Sequence, residues 1–105
     1  MIVVRPLEFG DIPSVIGLQQ ACFPPPFPEE SLWQREHLEA HLVRFPEGQF
    51  VAETEGRIIA SASNSRIEED VWLAHLGWEE TLGGFGFATC SPSGTTLYGA
   101  DISVH

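Results

Sequence analysis

The sequence predicts an α+β domain built on a mainly antiparallel sheet of about four strands, with two helices near its start. Three observations carry that expectation. Strand formers open and close the chain, at Ile2 to Val4 and Leu97 to Val104. Apolar residues recur at spacings of three and four between Asp11 and Arg44. Two strand-like segments meet at Glu55-Gly56, a dipeptide suited to a hairpin turn. The order that follows is strand, helix, helix, strand, strand, insertion, strand, and 105 residues leave room for one small domain.

The first strand is the β-branched run Ile2, Val3 and Val4, closed by Arg5-Pro6. Asp11 then suits the N-cap of a helix, and Pro13 falls in the first turn, where a missing N–H costs nothing. Ile12, Val15, Ile16, Gln19, Cys22 and Phe23 give that helix one mostly apolar face. Pro24, Pro25 and Pro26 end it, and Phe23 to Pro28 reads as a stiff, extended connector with its Phe rings packed down. A second helix is expected from about Pro28 to Arg44, with Leu38, Leu42 and Phe45 on one stripe and Trp33 or Leu32 leading into it. Phe45-Pro46-Glu47-Gly48 stops it.

Gln49 to Glu53 and Arg57 to Ile67 form the hairpin arms. Phe50 and Ala52 share a face of the first arm. Ile58, Ala60, Ala62 and Asn64 lie on one side of the second, and Ile59, Ser61, Ser63 and Ser65 on the other. The small residues from Ala60 to Ser65 leave room for a closely pressed helix or a ligand. Glu68 to Gly94 has no clean period; a long loop holding a short helix or hairpin is expected, as a lid or partner surface. Thr95 to His105 is the last strand. It is followed by nothing in this sequence, so either it is an edge or the chain belongs to something longer.

Hydrophobic residues make up 43% of the chain, enough for a core. Five basic residues against fifteen acidic ones give a formal charge of −10. That excludes nucleic acid and anionic membrane as expected partners, since phosphate demands a basic face. It suits an amine-bearing partner or a plainly soluble acidic surface. Cys22 and Cys90 show no metal spacing and read as free thiols. With neither a signal-like start nor an apolar run of about 20 residues, a cytoplasmic location is expected.

Five short words occur in a fixed order: Val4-Arg5-Pro6-Leu7 with Gly10-Asp11, then Ala21-Cys22-Phe23-Pro24, Phe45 to Ala52, Glu55-Gly56, and Leu97 to His105. Together they resemble the N-terminal half of the GNAT superfamily of N-acetyltransferases, over residues 1–105, in the form of the bacterial GNAT domains sometimes joined to a carbon–nitrogen hydrolase. The resemblance implies a partial GNAT fold and acetyl-CoA as co-substrate. It implies direct attack of an amine, on a small molecule or a peptide, on the thioester. It carries Ile102, Ser103 and Val104 onto the strand whose backbone bonds the pantetheine arm. The pyrophosphate loop of that family, Arg/Gln-x-x-Gly-x-Gly/Ala at a helix N-terminus, is absent, and Gly83-Gly84-Phe85-Gly86 precedes the last strand rather than following it. Little or no acetyltransferase activity is therefore expected of these residues by themselves. The alternative is a non-catalytic binding or assembly module, a homodimer through the terminal strand being the expected form.

Asp101 and His105 are candidates for the base toward an amine, against the reading of a polar strand face. Phe27 and Trp33 are candidates for the acceptor pocket, beside Phe23, Trp72 and Trp78, which fit core or cap packing. His37 and His41 lie four apart on the second helix, but no third ligand accompanies them, so a solvated helix face is expected and no metal.

Overall fold

The computed structural model describes residues 1–105. One sheet holds four strands in the order β1-β2-β3-β4, every neighbour antiparallel. The strands are β1 (Val3–Pro6), β2 (Gln49–Thr54), β3 (Arg57–Ile67) and β4 (Thr96–Val104). Helices α1 (Ile12–Cys22) and α2 (Arg35–Arg44) follow β1, and two short helices, α3 (Glu69–Leu73) and α4 (Trp78–Leu82), fill the insertion. The expected element order and sheet are therefore the observed ones.

Arg5 ties the start together. Its guanidinium forks onto Asp11 at 2.7 and 3.0 Å and donates Nε–H to Glu53 at 2.9 Å, joining β1, β2 and the entry to α1. Arg5 in turn holds the Asp11 carboxyl below its usual range. Asp11 thus acts less as the N-cap of α1 than as an anchor, and it also accepts from the Glu8 backbone N–H. The β2–β3 turn has φ of 52° at Glu55 and 75° at Gly56, positive at both central residues, as the right-handed twist of a two-residue hairpin prefers.

Three expectations change. The second helix does not begin near Pro28. A single 3-10 turn spans Glu29–Ser31, Leu32 is extended, and α2 starts at Arg35. Burial is the reason: the extended step drives Leu32 and Trp33 inward, leaving them 5% and 3% exposed. The Pro-rich connector also turns rather than running straight, with the Phe27 N–H bonded to the Pro24 carbonyl and the Phe23 and Phe27 rings 5.0 Å apart. Finally, the end of the insertion is core, not lid. Leu82 and Phe87 are fully buried in the cluster that includes Ile12, Val15, Leu38 and Val51.

Both long helices cover the same sheet face. Ser61, Ser63, Ser65 and Ile67 point inward, and the small serine side chains let α1 approach β3. Ile58 joins this inner side, because a bulge at Ala52/Glu53 shifts the register of β2 against β3; it packs on the core instead of lining up with Ala60. Val4, Phe50, Ala52, Ala60, Ala62 and Ile102 form the opposite face, which no element of this chain covers. No helix is long and apolar enough to cross a membrane.

The serine stripe yields a test. The Ser65 hydroxyl is fully buried and finds no partner, whereas the buried Ser103 hydroxyl bonds Gln19 and Asp101. An unmet buried hydroxyl costs about 1–3 kcal/mol, and a made bond contributes about 1 kcal/mol. Ser65→Ala is expected to hold or raise stability by up to about 1 kcal/mol, and Ser103→Ala to lower it by about 1 kcal/mol. Urea midpoints of the two variants, measured side by side, check the contrast.

Candidate functional site

A cleft of about 410 Å³ opens between the end of α1, the connector, α4 and the middle of β4. Its residues arrive from four places in the sequence. Gln19 and Phe23 come from α1 and its end, Phe27 and Trp33 from the connector, Trp78, Glu79 and Phe85 from the insertion, and Asp101 from β4. A smaller cavity of about 310 Å³ also borders Trp33, lined by Ile16, Gln20 and Glu29 among others, but no residue of β4 reaches it.

Aromatic rings build one wall. Trp33 and Trp78 stack at 5.8 Å with 28° between their planes, and Phe85 stands edge-on to both at 5.6 Å. Trp78 is held in place by its Nε1–H, which donates to the Ala100 carbonyl at 2.9 Å. That carbonyl is available because β4 carries an extra residue there: Ser63 faces Asp101 while Asn64 already faces Gly99, so Ala100 bulges out of the ladder. Trp33 is pinned from behind by His41 at 4.8 Å and Phe87 at 5.7 Å. Its own buried Nε1–H finds no acceptor among the protein's atoms.

A polar network builds the floor. Gln19, buried on α1, donates from Nε2 to Asp101 Oδ2 and to Ser103 Oγ, each at 2.9 Å. Its Oε1 accepts the Trp33 backbone N–H at 3.3 Å. The Ser103 hydroxyl donates to the same Asp101 Oδ2 at 2.8 Å. Asp101 is thereby oriented through one oxygen, and Oδ1 receives no bond from the protein. Glu79 is the second acid at the cleft, and no basic side chain lines it.

Beside the cleft runs the free edge of β4. The His105 N–H bonds the Ile59 carbonyl at 2.9 Å, which sets the alternation along the strand. Ser103 therefore turns its backbone toward β3, while Ile102 and Val104 turn theirs outward. The Val104 carbonyl accepts a 3.5 Å bond from the Cys22 thiol on that outer side. The side chains of Ile102 and Val104 stand on the uncovered sheet face, 75% and 69% exposed, and that of Ser103 is buried in the network.

The structure thus brings Phe27, Trp33 and Asp101 into one cleft. His105 is exposed beyond β4 and does not line it. His37 and His41 are not the solvated pair expected. His41 is fully buried, with Nε2 2.6 Å from the Phe85 carbonyl and its ring stacked on Phe87 at 3.6 Å; the His37 Nδ1 accepts the Gln34 N–H that begins α2. Burial lowers the His41 pKa to about 4, so the ring is neutral near pH 7. No three His, Cys, Asp or Glu side chains gather to hold a metal, and Cys22 and Cys90 are free thiols.

In the sequence Gln19 is one more position on an apolar helix face. A lone amide among apolar neighbours was the available signal of a buried polar partner. Phe85, hidden inside a glycine-rich turn, gave no periodic signal at all.

No family model matches the chain. It is 40% identical over 104 residues to "Probable hydrolase YhcX" of Bacillus subtilis (strain 168), aligning 99% of this chain with 20% of that protein. It is 37% identical over 103 residues to "Uncharacterized N-acetyltransferase YkwB" of the same organism, aligning 98% of this chain with 46% of that one. The chain therefore spans less than half the length of these relatives. Among solved structures, the loading GNATL domain of CurA from Lyngbya majuscula superposes with a TM-score of 0.77 at 17% identity, over 99% of this chain and 48% of that one. The GphF GNAT-like decarboxylase in complex with isobutyryl-CoA also gives 0.77, at 24% identity, over 97% of this chain and 48% of that one.

Proposed function

We propose, for a chain whose fold is GNAT-like and whose sequence resembles the N-terminal portion of the GNAT N-acetyltransferases, that these residues are the acceptor side of an acetyl-CoA-dependent N-acetyltransferase. One juxtaposition carries the reading: the outward backbone groups of Ile102 and Val104 run past a cleft that holds an oriented carboxylate, Asp101. An extended pantetheine arm can add to such an edge as one more strand. Asp101, held by Gln19 and Ser103, would take the proton that an amine loses as it forms its bond to the acyl carbon. The thioester C–S bond breaks in the same exchange, and CoA leaves as the thiolate, which takes up a proton from water. A GNAT-like neighbour in complex with isobutyryl-CoA supports a CoA-type ligand for this fold.

What would grip the pyrophosphate lies outside these residues in this reading. Gly83-Gly84-Phe85-Gly86 is spent on packing: Gly83 and Gly84 have φ of 73° and 96° in the turn after α4, and Phe85 lies against Trp33 and Trp78. Arg5 is committed to Asp11 and Glu53. The uncovered face around Phe50, Ala60, Ala62 and Ile102 points the same way, since an apolar sheet face of that kind is normally packed.

Titration of acetyl-CoA into this chain, and into one continued past His105 in its gene, tests the proposal. Binding and amine acetylation by the longer chain, with neither in the 105 residues, is the expected result. A natural stop codon after His105 together with a stable dimer in sedimentation would favour the second reading instead, an assembly module paired through β4. That reading draws on the same free edge.

A further inference from the structure

We propose that the cleft selects an organic ammonium ion with a compact apolar body, of about one ring, over neutral molecules of the same shape. This deepens the acceptor-site reading above, yet the binding it predicts needs no acyl transfer. Five aromatic rings line the cleft, from Phe23, Phe27, Trp33, Trp78 and Phe85, together with two carboxylates and no basic group. Ring faces carry negative potential and attract a cation, Trp most strongly, and they do so more effectively where water is excluded. Trp33, 3% exposed, supplies the dry side of this wall, and Trp78, stacked on it, the outer side.

The charge has a defined seat. Asp101 Oδ2 is occupied by Gln19 and Ser103, which leaves Oδ1 for a ligand N–H. Glu79 lines the same opening. Neither acid is paired with Arg or Lys: the ion pairs of the chain involve Asp11, Glu8, Glu53 and Glu39. Two uncompensated carboxylates beside five rings would repel an anion and give a neutral hydroxyl no comparable reward. A volume near 410 Å³ lies at the small end of ligand sites, which argues for a small amine over an extended peptide.

The probe is 2-phenylethylammonium at pH 7, compared with 2-phenylethanol, its neutral analogue of nearly the same shape, both titrated against the 105-residue chain by tryptophan fluorescence. The ammonium ion is expected to bind at least tenfold more tightly. Glu79→Gln, at an exposed position, should weaken it about threefold, Trp78→Leu about tenfold, and neither should change the affinity for the alcohol by as much. Equal binding of the two probes, or ammonium binding unaltered in both variants, overturns the proposal. If charge-selective binding is found but a longer chain acetylates no amine, the cage stands and the transferase reading falls. If amines are acetylated without charge selectivity in binding, the reverse holds.

Discussion

Phe87→Ala is expected to cost about 3–5 kcal/mol, a large share of the stability of a domain this size. Phe87 is fully buried, stacked on His41 at 3.6 Å and edge-on to Trp33 at 5.7 Å. It sits in a segment whose composition suggests a loop. Its backbone φ is 63°, in the left-handed region that a non-glycine residue enters at a cost of about 1–2 kcal/mol. Burial of the ring holds it there. Alanine loses the ring and keeps the strain, whereas Phe87→Gly loses the ring and relieves the strain. The glycine variant should therefore be no less stable than the alanine one, the reverse of the usual ranking. Urea unfolding of both variants decides it. Wild-type midpoints would mean that residues 83 to 90 are a detachable cover and not part of the core.

The second large effect is a loss of stability in mild acid. His41 has a folded pKa of about 4, against about 6.5 when exposed, because burial disfavours the imidazolium. Between those values the unfolded chain binds the proton and the folded one does not. Stability is therefore complete above about pH 6.5 and falls as pH drops toward 4, by roughly 3 kcal/mol in all. Asp11, whose carboxyl is held low by Arg5, adds a further loss in the same direction at lower pH. In His41→Gln the loss between pH 6.5 and 4 should flatten, although the variant starts from lower stability because the bond to Phe85 and the stack on Phe87 are weakened. An unchanged pH slope in that variant would show that another group is responsible. His41 and Phe87 touch, so their substitutions should not add.

The first effect arises in the stretch that was least legible, and the second in a helix residue, His41, that packs against it. The β2–β3 hairpin could be read because its information is local: Glu55-Gly56 specifies the turn, and alternation specifies the faces. Phe27, Trp33 and Asp101 were reachable as site candidates, the first two from their place beside the helices and the last from a resemblance spread over the whole chain. Gln19 and Phe85 were not, and Trp78 was weighed for the pocket only to be read as core or cap packing. Each acts through partners far along the chain: Gln19 on Asp101 and Ser103, Trp78 on Ala100.

By itself, then, the sequence determined the order of elements, the antiparallel hairpin, the α+β class and the likeness to a GNAT half-domain. All of these follow from short-range periodicity, from turn chemistry or from words kept in order. Tertiary structure decided that both long helices lie on one sheet face, that α2 begins late so that Leu32 and Trp33 can be buried, and that the irregular insertion completes the core. It also decided that a one-residue bulge at Ala100 gives Trp78 its anchor. The physical reason is common to these cases. Burial rewards whichever distant side chains fit together, and the gain from excluding water from Trp33, His41 and Phe87 at once is larger than any local preference of the residues between them.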